Sequence, residues 1–143
     1  MWRWLRARFY HWCGEMHRFV GNLHGDREEY RLAVADFTRA IELAPDFAQA
    51  YYDHGLLYWR ELGDPERAVR DLTCFIELRP TRAEAWFNRA LAFQMLGDTA
   101  SAIADYEHYL AVGRDAEWRT ISQRRLQDLR SEVKEDEQFS IGR

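Results

Sequence analysis

His11, Cys13, His17 and His24 fall on one stretch of helical spacing, and Cys13 with His17 forms an i, i+4 pair that could grip a metal ion. Cys74 lies between Thr73 and Phe75 with no histidine at a neighbouring helical step to draw off its proton, which predicts a buried or half-buried thiol rather than a nucleophile. Acidic pairs such as Glu28-Glu29 read as solubilising charge. Nucleophile elbows, phosphate-binding loops, G-x-G-x-x-G turns and H-E-x-x-H zinc helices are all absent from the sequence. No catalytic residue and no cofactor is expected.

The chain has 143 residues, 47% hydrophobic and 31% charged, enough for one domain with a real core. A net charge of −4 argues against a nucleic-acid partner, which requires a basic surface. The two cysteines lie far apart without a C-x-x-C, so a reduced, cytoplasmic setting is the simplest expectation. No run of 18 apolar residues exists, and the basic N-terminus lacks the apolar stretch of a secretory signal. Aromatics reach 15%, and three of the six tryptophans, Trp2, Trp4 and Trp12, crowd the first twelve residues.

The elements that position these residues come from a repeat. DFTRAIELAPDF from Asp36, DLTCFIELRPTR from Asp71 and DYEHYLAVGRDA from Asp105 align at steps of 35 and 34 residues. Small residues recur at Ala33, Ala68 and Ala102, and upstream at Gly21, Gly55 and Ala90. One inserted residue between Gly55 and Ala68 reconciles the two series, most naturally within Glu61–Pro65. Gly63-Asp64 and Gly97-Asp98 predict a turn that divides each unit into two helices, and Pro45 and Pro80 stop the second. In the first unit Gly25-Asp26 is an alternative turn, which would lengthen the loop before Ala33. Small side chains permit close helix approach, and Tyr51, Trp86, Tyr58, Phe93, Phe37, Leu72 and Tyr106 fill the space around them. In this register His17 and His24 take the aromatic slots of the first unit, so they are explained as packing and no metal site is expected.

The segment WFNRALAFQMLGDTASAIADY, from Trp86 to Tyr106, resembles the tetratricopeptide repeat, and the unit from Tyr51 to Pro80 is similar to it with its one-residue insertion. The resemblance implies an all-α chain, a short α-solenoid of three helix-turn-helix units over residues 14–47, 48–82 and 83–114. An aromatic, basic helical extension precedes them at 1–13, a capping helix follows at 115–134 and an acidic tail at 135–143. The capping helix turns Trp118, Ile121, Leu126, Leu129 and Val133 towards the last unit. The resemblance also implies a concave groove, lined by the first helix of each unit, for a peptide or helix of another protein. Carried over by position, its residues are Arg18 and Asn22, then Tyr52, Leu56, Trp59 and Arg60, then Phe87, Asn88, Leu91, Gln94 and Met95. The competing expectation is that a terminal helix folds over them. Some members clamp a partner's terminal carboxylate along this groove, but Asp53 and Glu84 stand where amide and basic groups are wanted.

At the N-terminus Trp2, Leu5, Phe9, Trp12, Met16, Phe19 and Leu23 recur at steps of three and four, predicting one long helix back nearly to Met1. Trp2, Arg3, Trp4, Arg6, Arg8 and Trp12 are candidates for contact with a partner or a membrane surface, against the alternative of simple capping. Two functional readings follow: a non-catalytic adaptor or scaffold, or an assembly subunit of a larger complex that can sit at a membrane. Self-association remains open.

Overall fold

The computed structural model describes residues 1–141. Its helices are α1 (Trp2–His24), α2 (Arg27–Leu43), α3 (Ala48–Leu57), α4 (Pro65–Leu78), α5 (Ala83–Leu96), α6 (Thr99–Val112) and α7 (Ala116–Ile141). A π-helical turn at Tyr58–Leu62 continues α3. No strand occurs among the described residues. The helices form two compact units, one from Met1 to Pro80 with α1–α4 and one from Thr81 onward with α5–α7.

Each hairpin turns on the same two residues. Gly25, Gly63 and Gly97 carry the positive φ angles of 66°, 65° and 74°, a conformation that costs a residue with a side chain about 1–2 kcal/mol. The aspartate after each glycine starts the next helix: Asp26 accepts from the Glu28 N–H, Asp64 from that of Arg67 and Asp98 from that of Ser101. Glycine ends one helix and aspartate caps the next, so a two-residue turn suffices.

The first hairpin departs from the expected register. Its turn is Gly25-Asp26, and the extra residues lengthen the helices rather than the loop, giving α2 17 residues where α4 and α6 have 14. A Cβ on Gly14 would lie 2.7 Å from the Phe37 ring, whereas a Cβ on Gly55 would lie 3.1 Å from Leu72. Phe37 and Leu72 hold the same repeat slot, so Gly14, not Gly21, is the counterpart of Gly55. Gly21 faces the Tyr30 ring instead. The aromatic slots assigned to His17 and His24 therefore belong to Tyr10 and His17, and His24 lies exposed at the end of α1.

The inserted residue of the second hairpin falls within the helix, not in the turn. The Asp98 N–H donates to the Phe93 carbonyl five residues back, at 3.0 Å; the Asp64 N–H donates to the Tyr58 carbonyl six residues back, at 2.9 Å. Tyr58 and Phe93 occupy the same slot, so the extra residue is taken up as one wide turn over Tyr58–Leu62. The Gly-Asp turn is thereby left unchanged.

In the first unit Ala33, Phe37 and Leu57 form a buried cluster against Tyr30, Val34 and Leu62. In the second, Phe87, Ala90, Ala102, Tyr106, Tyr109 and Leu129 form the core, with Trp118 and Ile121 of α7 packed on it. Asp115 caps α7 by accepting from the Trp118 N–H. The helix continues past the expected end at Lys134 to Ile141, and Val133 is exposed rather than turned inward. Residues 142–143 of the expected tail lie outside the described residues.

Candidate functional site

The corrected register brings together a cluster that the sequence reading missed. His11 and Glu15 of α1, not Arg18 and Asn22, occupy the positions equivalent to Tyr52 and Leu56 of α3. His11 is buried, and its Nε2 lies 2.7 Å from Asp53 Oδ2, while Gln49 Nε2 donates to the same oxygen at 3.0 Å. His11 Nδ1 lies 3.8 Å from Glu15 Oε2, too far for a hydrogen bond. The three groups are close enough to suggest a metal, with ligand atoms within 4.8 Å of one another. However, Asp53 Oδ2 is already engaged by His11 and Gln49 at hydrogen-bond distance, and Glu15 lies beyond hydrogen-bond reach of the ring. The His11–Asp53 contact joins α1 to α3 directly. The i, i+4 signal of Cys13 and His17 dissolves similarly: His17 Nδ1 lies 2.7 Å from Glu29 Oε2, and its Nε2 is 3.6 Å from Asp36. Burial raises the Asp36 carboxyl, and the nearby His17 draws it partly back.

The other carried-over residues of the first unit are engaged locally. Arg18 Nε and Nη2 donate to Glu61 Oε1 at 3.2 and 3.1 Å, holding α1 to the π-turn, and Asn22 accepts from the Tyr30 hydroxyl at 3.0 Å. The Tyr52 ring packs against Phe75 at 4.9 Å, and Leu56 is buried. Trp59 and the exposed Arg60 sit on the π-turn itself, with the guanidinium 5.0 Å over the indole.

In the second unit α7 covers most of the corresponding face. Phe87 is 6% exposed and stacks on Trp118 of α7 at 4.7 Å, with Tyr106 and Tyr109 beside it, so its ring belongs to the core. Asn88 is fully buried and donates to the Glu84 carbonyl, Leu91 packs on the core, and Gln94 accepts from Tyr106 and from Arg125 of α7. Glu84 is paired with Arg82, which holds its carboxyl below the usual range. Met95 remains half exposed. In this unit α7 therefore packs against the side of α5 that carries Phe87 and Gln94.

Neither thiol is poised for nucleophilic work. Burial pushes both Cys13 and Cys74 up from the ordinary thiol range, with Asp36 and Asp71 respectively adding to it. At neutral pH a disulfide reagent such as Ellman's should modify both slowly in the native protein and rapidly once it is unfolded. A native Cys74 that reacts as fast as the unfolded thiol would contradict this.

The N-terminal candidates lie on the outside of α1. Trp2, Arg3, Trp4, Arg6, Arg8 and Trp12 are all exposed, although Trp4 approaches Phe47 at 6.1 Å and carries Arg8 over its ring. Among the described residues no helix is long and apolar enough to cross a membrane.

A family model for the tetratricopeptide repeat matches residues 21–69 and 60–117. Curated protein sequences give no match. Among solved structures, TTC0263, a thermophilic TPR protein of Thermus thermophilus, matches with a TM-score of 0.70 at 23% identity, over 82% of this chain and 62% of that one. The first TPR of Spaghetti (RPAP3), bound to the HSP90 peptide SRMEEVD, matches at 0.67 and 18% identity, over 86% and 94%. The MamA protein matches at 0.65 and 25% identity, over 73% of this chain and 53% of its own. The chain thus spans little more than half of MamA's length. With the repeat phase, the Gly-Asp hairpins and the family model in agreement, the chain belongs to the tetratricopeptide repeat family and has the fold class of its short all-α solenoids.

Proposed function

We propose that this chain is a non-catalytic, cytoplasmic adaptor that holds a peptide or helix of another protein on the α1/α3 face of its first unit. Tetratricopeptide repeat proteins are generally interaction modules, and the Spaghetti domain was solved with a peptide on it. The observation that carries the finer reading is the charge of that face. Glu15 and Asp53 flank His11, where a repeat that grips a terminal carboxylate needs basic and amide groups. Asp53 is buried and already engaged by His11 and Gln49, so an acidic tail would meet the exposed Glu15 carboxylate, a like charge that disfavours it. The ligand that suits the face is a mainly apolar segment, with Trp59 and Arg60 of the π-turn as the aromatic and charged anchors.

The first test is fluorescence anisotropy with labelled SRMEEVD, for which no saturable binding is expected; saturation would sink the charge argument. The second is affinity capture with mass spectrometry, comparing wild type with Trp59→Ala. Partners present with the wild type and depleted at least fivefold with the variant are expected. Equal recovery would move the site elsewhere. Phe87 is unsuitable for the same experiment, because truncating it disrupts the second core.

A further inference from the structure

The stripe Trp2, Leu5, Phe9, Trp12, Met16, Phe19 and Leu23 is 43–77% exposed at every member. Its spacing alternates three and four without a break, the 3.5-residue period of a helix that pairs with another helix along one seam. The opposite side of α1 repeats at seven as well: Ala7, Gly14 and Gly21 are buried, and the two glycines face Phe37 and Tyr30 of α2. The helix thus has a small-residue face spent on its own hairpin and an apolar face left over. At about 150–250 Å² for a buried aromatic side chain, the stripe presents on the order of 800 Å². That exceeds the roughly 300–600 Å² of the largest patch on an ordinary monomer and equals one side of a standard interface.

We infer that α1 pairs antiparallel with α1 of a second copy, forming a two-fold symmetric dimer. The polar residues beside the seam fix the partner, the direction and the register. Antiparallel pairing stacks Trp2 on Phe19, Leu5 on Met16 and Phe9 on Trp12, each layer occurring twice about the two-fold axis. This register sets Arg8 of each copy against Glu15 of the other. Sliding by one heptad sets Glu15 against its own symmetry mate and leaves Trp2 without a layer. Parallel pairing sets Arg8 against Cys13 and Glu15 against Val20, and gathers Arg3, Arg6 and Arg8 of both copies at one end. Only the first arrangement satisfies both charges. Glu15 is half exposed and Arg8 exposed, so both can reach outward.

Light scattering and sedimentation velocity on the full chain test this, with circular dichroism confirming that each variant is folded. The wild type should have twice the 17.1 kDa chain mass. Arg8→Glu and Glu15→Arg should each weaken the dimer at least tenfold. An equimolar mixture of these two variants should form a heterodimer of near wild-type affinity, because each mismatch then meets its complement. Trp12→Glu, at the central layers, should be monomeric. A monomeric wild type overturns the inference, and so does one that instead binds phosphatidylcholine/phosphatidylglycerol vesicles through this stripe. A mixture no tighter than either variant alone overturns the antiparallel register.

Discussion

Phe37→Ala is expected to lower the stability of the first unit by about 3–5 kcal/mol. Phe37 is fully buried, and its ring lies against the bare backbone of Gly14, with His11 and His54 at 5.6 and 6.1 Å. A glycine has no side chain to swing into the vacated space. His11 is held by Asp53, and His54 Nδ1 lies 3.1 Å from Asp71 Oδ2, so neither imidazole can swing in without breaking its own contact. The cavity therefore persists, and its lining loses its dispersion contacts as well as the transfer energy of the ring. Urea denaturation followed by circular dichroism measures this. A loss below about 1 kcal/mol would mean that α1 and α2 close up freely, contrary to the constraint described.

Asp105→Ala is expected to cost about 3 kcal/mol or more, through the charge it leaves behind. Arg89 Nε and Nη2 donate to the two Asp105 oxygens at 2.8 and 2.9 Å, and the side chains are only 14% and 5% exposed. The guanidinium also lies 5.0 Å over the Trp86 ring and 5.6 Å over that of Phe93, so it cannot leave for water without unpacking two aromatics. Removing the carboxylate leaves a cation in an apolar setting. Removing both charges, as Arg89→Met/Asp105→Leu, should recover most of the loss, because the desolvation cost of both ions disappears with them. A double-mutant cycle reads the difference; a double variant no more stable than Asp105→Ala would refute it.

Much of the fold is legible from small residues and turns. Ala33, Ala68 and Ala102 fixed the phase of the second helices because a larger side chain would force paired helices apart. The one-residue slip between Gly55 and Ala68 was visible in the phase, but its home was not. A chain can absorb an extra residue in a loop or as a π-turn, and only the Asp64-to-Tyr58 hydrogen bond distinguishes the two. The first hairpin misled for a periodic reason. Gly14 and Gly21 are seven residues apart, almost two full helical turns, so they share one face and either satisfies the need for closeness. The spacing to Ala33 favoured Gly21, whereas the structure adds a turn to each helix. That shift carried the candidate positions with it, so that His11 and Glu15 rather than Arg18 and Asn22 match Tyr52 and Leu56 in the repeat. The burial of Phe87 under Trp118 was out of reach for a different reason. α7 belongs to no repeat, and its apolar positions do not specify which neighbour they will cover.

The shared Gly-Asp turn has a kinetic consequence. With only two residues between paired helices, closing each hairpin costs little chain entropy, and most contacts join segments near in sequence. Any of the three hairpins can therefore serve as the first structure formed, on a timescale of about milliseconds or faster for such local topologies. Because glycine frees the turn and aspartate seeds the helix after it, a substitution at Gly25, Gly63 or Gly97 should slow folding in its own hairpin and leave the others to nucleate unaided.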